Sequence, residues 1–164
     1  MGNEKDPTSG PTETAGVIAK PPVIYAGFLA LGLVLDRVWP IDLPMPASER
    51  RKILGLAMVA IGAALALWAF RQFIRAGTNL STGKPTLAIV THGIYRFSRN
   101  PIYVGLTAFN LGVALAAGSP WAFITLAPTL AVMHTGVIFR EERYLERRFG
   151  TAYLDYKARV RRWF

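Results

Sequence analysis

The chain has 164 residues, 52% of them hydrophobic, with a positive mean hydropathy, and its charges sit in the gaps between apolar runs. This pattern belongs to a membrane protein and excludes an ordinary soluble domain. The formal charge of +9 gives no call for nucleic acid, since in a membrane chain charge is first a matter of sidedness, and the lack of cysteine excludes disulfides and thiolate chemistry.

Residues 1–20 form a polar, Pro- and Gly-containing stretch, read as a disordered tail. It begins Met-Gly, but Asp6 stands where myristoylation needs Ser or Thr, so no lipidation is expected. No cleavable signal peptide is expected either, because the first apolar run has no small-residue cleavage site after it. Residues 21–164 read as one membrane domain. Its uncharged stretches run from Val23 to Leu35, Ile53 to Phe70, Ile102 to Ala117 and Trp121 to Phe139. A bilayer core needs about 20 helical residues, with roughly 17 tolerated. The second and fourth stretches pass, and the first and third draw on Trp39 and Tyr103 as interfacial anchors. The expected fold is therefore all-α and polytopic, with about four transmembrane helices at 23–39, 53–70, 102–117 and 121–139. Gly118, Ser119 and Pro120 make a turn short enough to force the last two helices into an antiparallel hairpin.

With four spans, every Lys and Arg except Arg37, Arg50, Arg51 and Lys52 falls on the side of the two tails, which the positive-inside rule makes cytoplasmic. On the third helix Gly105, Ala108, Gly112 and Ala116 share a side, and the second has Gly55, Gly62 and Ala66; such faces let backbones approach closely in lipid. Pro128 interrupts the fourth run and predicts a kink. Residues 140–164 turn amphipathic, with Leu145, Phe149, Tyr153, Tyr156 and Val160 at spacings of three or four among basic residues. They read as an interfacial segment, broken at Gly150, lying on anionic lipid at the cytoplasmic surface.

The chemistry concentrates at the mouth of the hairpin. Asn100 and Pro101 suit the first positions of a helix, and Arg99 suits a lipid phosphate. The hairpin also brings them level with Glu141 and Glu142. Two roles are open to those glutamates: a solvated face, or a seat for an ammonium group. A helix start takes a carboxylate and a neighbouring glutamate takes an ammonium, so the pair fits a zwitterionic amino acid. S-adenosylmethionine carries both groups and is made in the cytosol, on the side read for this site.

"THGIYRFSRNPIYVG", followed after a short hairpin by "EERYLERRFGTAYLDYKARVRRW", resembles the isoprenylcysteine carboxyl methyltransferase and phospholipid N-methyltransferase superfamily of integral membrane methyltransferases. The resemblance covers roughly residues 50 to 164. The family pattern of Gly-x-Tyr, Arg-His-Pro-x-Tyr-x-Gly and a Glu-Glu pair is met at Gly93, Tyr95, Arg99, Pro101, Tyr103, Gly105, Glu141 and Glu142. Asn100 departs from it, standing where many members have His. That removes any imidazole proton transfer there and leaves binding by the amide or the helix end. The resemblance implies an S-adenosyl-L-methionine pocket on the cytosolic side, built from these two blocks and the carboxyl segment, with Tyr95, Arg99, Asn100, Pro101, Tyr103, Gly105, Glu141 and Glu142. It also implies a lipophilic small-molecule or lipid acceptor arriving from the bilayer.

Methyl transfer from a sulfonium asks mainly for alignment and exclusion of water, and for no metal. His134, seven residues before Glu141, shares its face in an α-helix and is open to two roles, base or interhelical packing. Arg140 suits an acidic acceptor or a lipid phosphate, and Tyr95 and Tyr103 suit the cofactor or the interface. An isoprenylcysteine carboxylate, a phospholipid amine or another small lipophile all fit as acceptor. Two other readings compete: a haem-binding membrane subunit using His92 and His134, and a small four-helix transporter.

Overall fold

A computed structural model describes residues 14–41, 49–77 and 86–163; residues 1–13, with the Met-Gly start, and Lys84 lie outside them. Every regular element among the described residues is helical. Helix α1 (Pro21–Val38) starts on a proline pair, whose missing N–H groups a first helical turn does not need. Its last residue is followed by Trp39 and Pro40, and a residue before proline is pushed out of helical geometry. Helix α2 (Glu49–Arg75) carries an acid in its first turn and a base in its last, each suited to the dipole end it meets.

Helix α3 (Pro101–Ala117) ends at Gly118, whose φ of 67° is the left-handed conformation that closes a helix and favours glycine. Helix α4 (Pro120–Met133) begins two residues later, with the Ser119 hydroxyl accepting from Ala122 N at 3.0 Å. Asp36, near the end of α1, accepts from the Ser119 hydroxyl and from Trp121 N, which ties three helix ends together. The tight α3–α4 hairpin read from the sequence is therefore present, capped at both sides of its turn. Past α4 the chain continues through a π-helical turn, His134–Ile138, into α5 (Phe139–Phe149). Gly150, at φ 52°, breaks it from α6 (Thr151–Arg159).

Among the described residues three helical stretches are long and apolar enough to cross a membrane: Pro21–Val38, Glu49–Arg75 and Pro120–Phe149; α3 is apolar and shorter, at 17 residues. The small-residue faces of α2 and α3 meet. A Cβ on Gly105 would stand 2.6 Å from Ala66 N, and one on Gly112 would stand 2.6 Å from Val59 N, so the backbones touch there. Helix α1 packs on α4, and Ile24, Tyr25, Tyr103, Leu126, Met133, Val137 and Ile138 form the buried core. The outer face of α2 shows Ile53, Leu54, Leu56, Ile61, Leu67 and Trp68, apolar surface of the kind a bilayer solvates.

Residues 14–20, assigned to the tail by sequence, make defined contacts. The Ile18 side chain lies on Gly136 of the π turn, its N–H donates to Gly136 O at 3.3 Å, and Arg140 Nη1 donates to Gly16 O at 2.8 Å. Helices α5 and α6 use their apolar face on the protein itself: Tyr144, Tyr153 and Tyr156 are buried, and the Tyr156 hydroxyl donates to Tyr95 O at 2.7 Å.

Candidate functional site

Four stretches far apart in sequence enclose one cavity, with an empty volume of about 940 Å³, its mouth included. The start of α3 supplies Arg99, Asn100, Pro101, Ile102 and Tyr103, α5 supplies Glu141, Glu142, Tyr144 and Leu145, and α6 supplies Tyr153 and Tyr156. Phe73 of α2, Tyr95 and residues of 86–90 complete the wall, with Ala15 at its edge. The 86–90 wall is held by α5, since Tyr144 Oη accepts from Thr86 N at 3.0 Å and Arg148 Nε donates to Thr86 O at 2.6 Å.

The two glutamates are differently engaged. Glu142 is 5% exposed and receives both arms of Arg162, Nε to Oε1 at 2.9 Å and Nη2 to Oε2 at 2.7 Å. Arg99 Nη1 lies 3.1 Å from Glu142 Oε1, close enough to pair charges without an aligned N–H, and Arg99 Nε has no hydrogen-bond partner among the described residues. The Arg99 side chain is only 9% exposed. A buried guanidinium with unsatisfied N–H groups in a cavity wall is suited to an anionic ligand. Glu141 meets no cation among the described residues; the Tyr103 hydroxyl donates to both its oxygens, at 2.9 and 2.8 Å. Tyr25 supports this from α1, its hydroxyl donating to Tyr103 O at 3.2 Å.

Three further tyrosines line the cavity; the Tyr95 hydroxyl donates to Ala69 O at 3.5 Å and that of Tyr156 to Tyr95 O. Burial pushes the Tyr153 hydroxyl up to about 12 and holds those of Tyr95 and Tyr156 well above the usual tyrosine range. All three stay neutral donors near pH 7. Phe73 stacks edge-on against Tyr95 with ring centres 5.3 Å apart, an aromatic wall beside the polar one.

Of the residues picked from the sequence, Tyr95, Arg99, Asn100, Pro101, Tyr103, Glu141 and Glu142 are brought together here. Asn100 stands where a helix cap is expected, but its side chain makes no cap bond; Nδ2 donates instead to Arg162 O at 3.1 Å. Gly105 is outside the lining, pressed against Ala66 and Gly62 of α2. His134 and exposed Arg140 are also outside it, as is exposed His92. Tyr144, Tyr153, Tyr156 and Arg162 were not picked as site residues. All four lie in the carboxyl block that the resemblance makes part of the pocket, but only Tyr153 and Tyr156 fall in the amphipathic spacing, which reads equally as a lipid-facing stripe.

Residues 50–152 match the family model described as phospholipid methyltransferase. Protein-S-isoprenylcysteine O-methyltransferase of Mus musculus is 33% identical over 111 residues, 65% of this chain and 38% of its own length. The corresponding protein of Homo sapiens is 31% identical over 113 residues, 66% of this chain and 39% of its own length. Protein-S-isoprenylcysteine O-methyltransferase B of Arabidopsis thaliana is 30% identical over 108 residues, 65% and 55% of the two chains. This chain thus spans from under two fifths to just over half the length of these relatives. No solved structure matches it.

Proposed function

Because the chain belongs to the phospholipid methyltransferase family, we propose that it is an integral membrane methyltransferase that uses S-adenosylmethionine as donor and a lipophilic molecule as acceptor. The observation that carries this reading is one cavity holding a buried arginine with unsatisfied N–H groups and a carboxylate with no cation beside it among the described residues. The planar guanidinium of Arg99 suits an α-carboxylate, and Glu141 suits an α-ammonium. Glu142 is committed to Arg99 and Arg162, so the ammonium seat falls to Glu141. Tyr95, Tyr153 and Phe73 offer ring faces to a flat heterocycle, and Tyr153 a hydroxyl.

When bound, the donor supplies a methyl group on a sulfonium. The chain's own task is to hold both charged ends, exclude water behind the aromatic wall and leave one approach for a nucleophile. His134 and Arg140 belong, in this reading, to the acceptor's side: they stand at the π turn and the start of α5, outside the donor cavity. An acceptor already ionised needs no base there. Helix α3, at the lower limit of length, is a fourth crossing. Both termini and the cavity then face the cytoplasm, where the basic residues gather.

The test is to incubate purified protein in nanodiscs with methyl-labelled S-adenosylmethionine and a membrane lipid extract. Label is expected in a lipid-soluble product. No labelled product, together with no calorimetric binding of the donor or its demethylated form by folded protein, overturns the reading.

A further inference from the structure

Beyond α6 the chain returns to the site by a route that its helical pattern does not foretell. Arg99 N donates to Arg161 O at 3.0 Å, while Ser98 Oγ and Asn100 Nδ2 both donate to Arg162 O, at 3.3 and 3.1 Å. Trp163 packs against the core around Ile24 and Tyr25. This backbone anchorage delivers the Arg162 side chain to Glu142, where its fork takes both carboxylate oxygens.

Glu142 therefore stands between two guanidiniums that play different parts. Arg162 is the outer one, with a side chain 28% exposed and aligned bonds to both oxygens. Arg99 is the inner one, within ion-pair distance of Oε1 but unaligned, with Nε unsatisfied at the cavity. A carboxylate and a lone buried guanidinium collapse into a two-bonded fork, because that satisfies the most N–H groups in a dry setting. With Arg162 occupying both oxygens, that collapse is blocked. Arg99 keeps a counter-charge nearby while Nε and Nη1 stay free for another acceptor.

We propose that Arg162 is a positioning residue: by fixing Glu142 it keeps Arg99 balanced in charge yet available to an anionic group in the cavity. This rests on the donor reading above, in which that group is the α-carboxylate of S-adenosylmethionine. Asn100 serves the same end by holding the Arg162 carbonyl, a role that an amide fills without any proton transfer.

The experiment is a double-mutant cycle on the whole chain in nanodiscs, with S-adenosylmethionine binding read by calorimetry and thermal unfolding followed in parallel. Arg162→Ala is expected to weaken binding about tenfold, the size of one lost charge-assisted hydrogen bond. Arg162→Lys restores the charge but not the fork, so it recovers only part of the loss. In an Arg99→Gln background, Arg162→Ala is expected to cause no further loss. Unchanged binding in Arg162→Ala overturns the inference, and so does an equal loss with and without Arg99, which marks a general structural role. Should Arg162→Ala fail to fold, the same cycle is run with Arg162→Lys and read by the same criteria. If the parent binds no S-adenosylmethionine, the donor reading falls and takes this inference with it; if the parent binds and the cycle is additive, the inference alone falls.

Discussion

Adjacent and chemically identical, Glu141 and Glu142 are given opposite roles by their neighbours. Glu142 is buried between two cations, so Glu142→Gln leaves Arg99 as an uncompensated buried charge. Breaking a buried pair from one side costs about 3 to 5 kcal/mol. A clear fall in unfolding temperature is expected, whereas Glu146→Gln, which loses only a partly exposed pair with Lys157, is expected to change stability by less than about 1 kcal/mol. Equal unfolding temperatures for the two variants would refute the difference. Glu141 depends instead on the Tyr103 hydroxyl. Tyr103→Phe removes that donor without changing the ring, and we expect S-adenosylmethionine to bind about tenfold more weakly, from a hydrogen bond to a charged group worth roughly 1.5 to 3 kcal/mol. Titration calorimetry at constant lipid composition checks this.

The elements matter through two local departures from regularity. One is the glycine seam between α2 and α3, where backbone lies against backbone. Adding a methyl at Gly105 forces the helices apart, and such overpacking costs about 1 to 3 kcal/mol. Gly27 of α1 has none of the described residues within 4 Å of a built Cβ, so Gly27→Ala is expected to be neutral or slightly stabilising. Thermal unfolding of both variants in one nanodisc preparation tests the contrast; a loss of equal size at Gly27 would mean that the seam is not the cause. The other departure is the π turn at His134–Ile138. A π turn inserts an extra residue, which rotates everything beyond it by about 100° relative to an unbroken α-helix. That is why His134, on the face of Glu141 by α-helical counting, stands outside the cavity that Glu141 lines.

For the whole molecule the first question is sidedness. The absence of cysteine makes the chain suited to single-cysteine labelling. Arg50→Cys at the start of α2 and Thr151→Cys at the start of α6 are expected to react with an impermeant maleimide from opposite sides of oriented vesicles, Thr151→Cys from the cytoplasmic side. Reaction of both from one side would refute the four-crossing arrangement. The second question is how the acceptor arrives. Nearly all of the described residues lie in helices and short connections, and the cavity is built from the helices themselves. A lipophilic acceptor gains roughly 0.8 kcal/mol for each methylene buried. Turnover efficiency should therefore fall steeply as its hydrocarbon part is shortened, even after correction for partitioning into the nanodisc. Equal corrected efficiencies for a long-chain acceptor and its short-chain analogue would count against the bilayer route.

By itself the amino-acid order determined the all-helical membrane class, the tight hairpin at Gly118–Pro120 and the meeting of Arg99 and Tyr103 with the glutamate pair. Apolar run length, turn chemistry and small-residue spacing are local properties, and each survives folding with its meaning unchanged. Tertiary structure decided the rest. Whether Tyr153 and Tyr156 face lipid or line a cavity depends on what α6 packs against, which amphipathic spacing leaves open. Which glutamate is held by cations depends on Arg162, twenty residues downstream of Glu142 and brought to it by backbone contacts rather than by helical periodicity. The π turn likewise lies beyond a pattern read in α-helical register, since one inserted residue reassigns every face after it while leaving the apolar content of the run untouched.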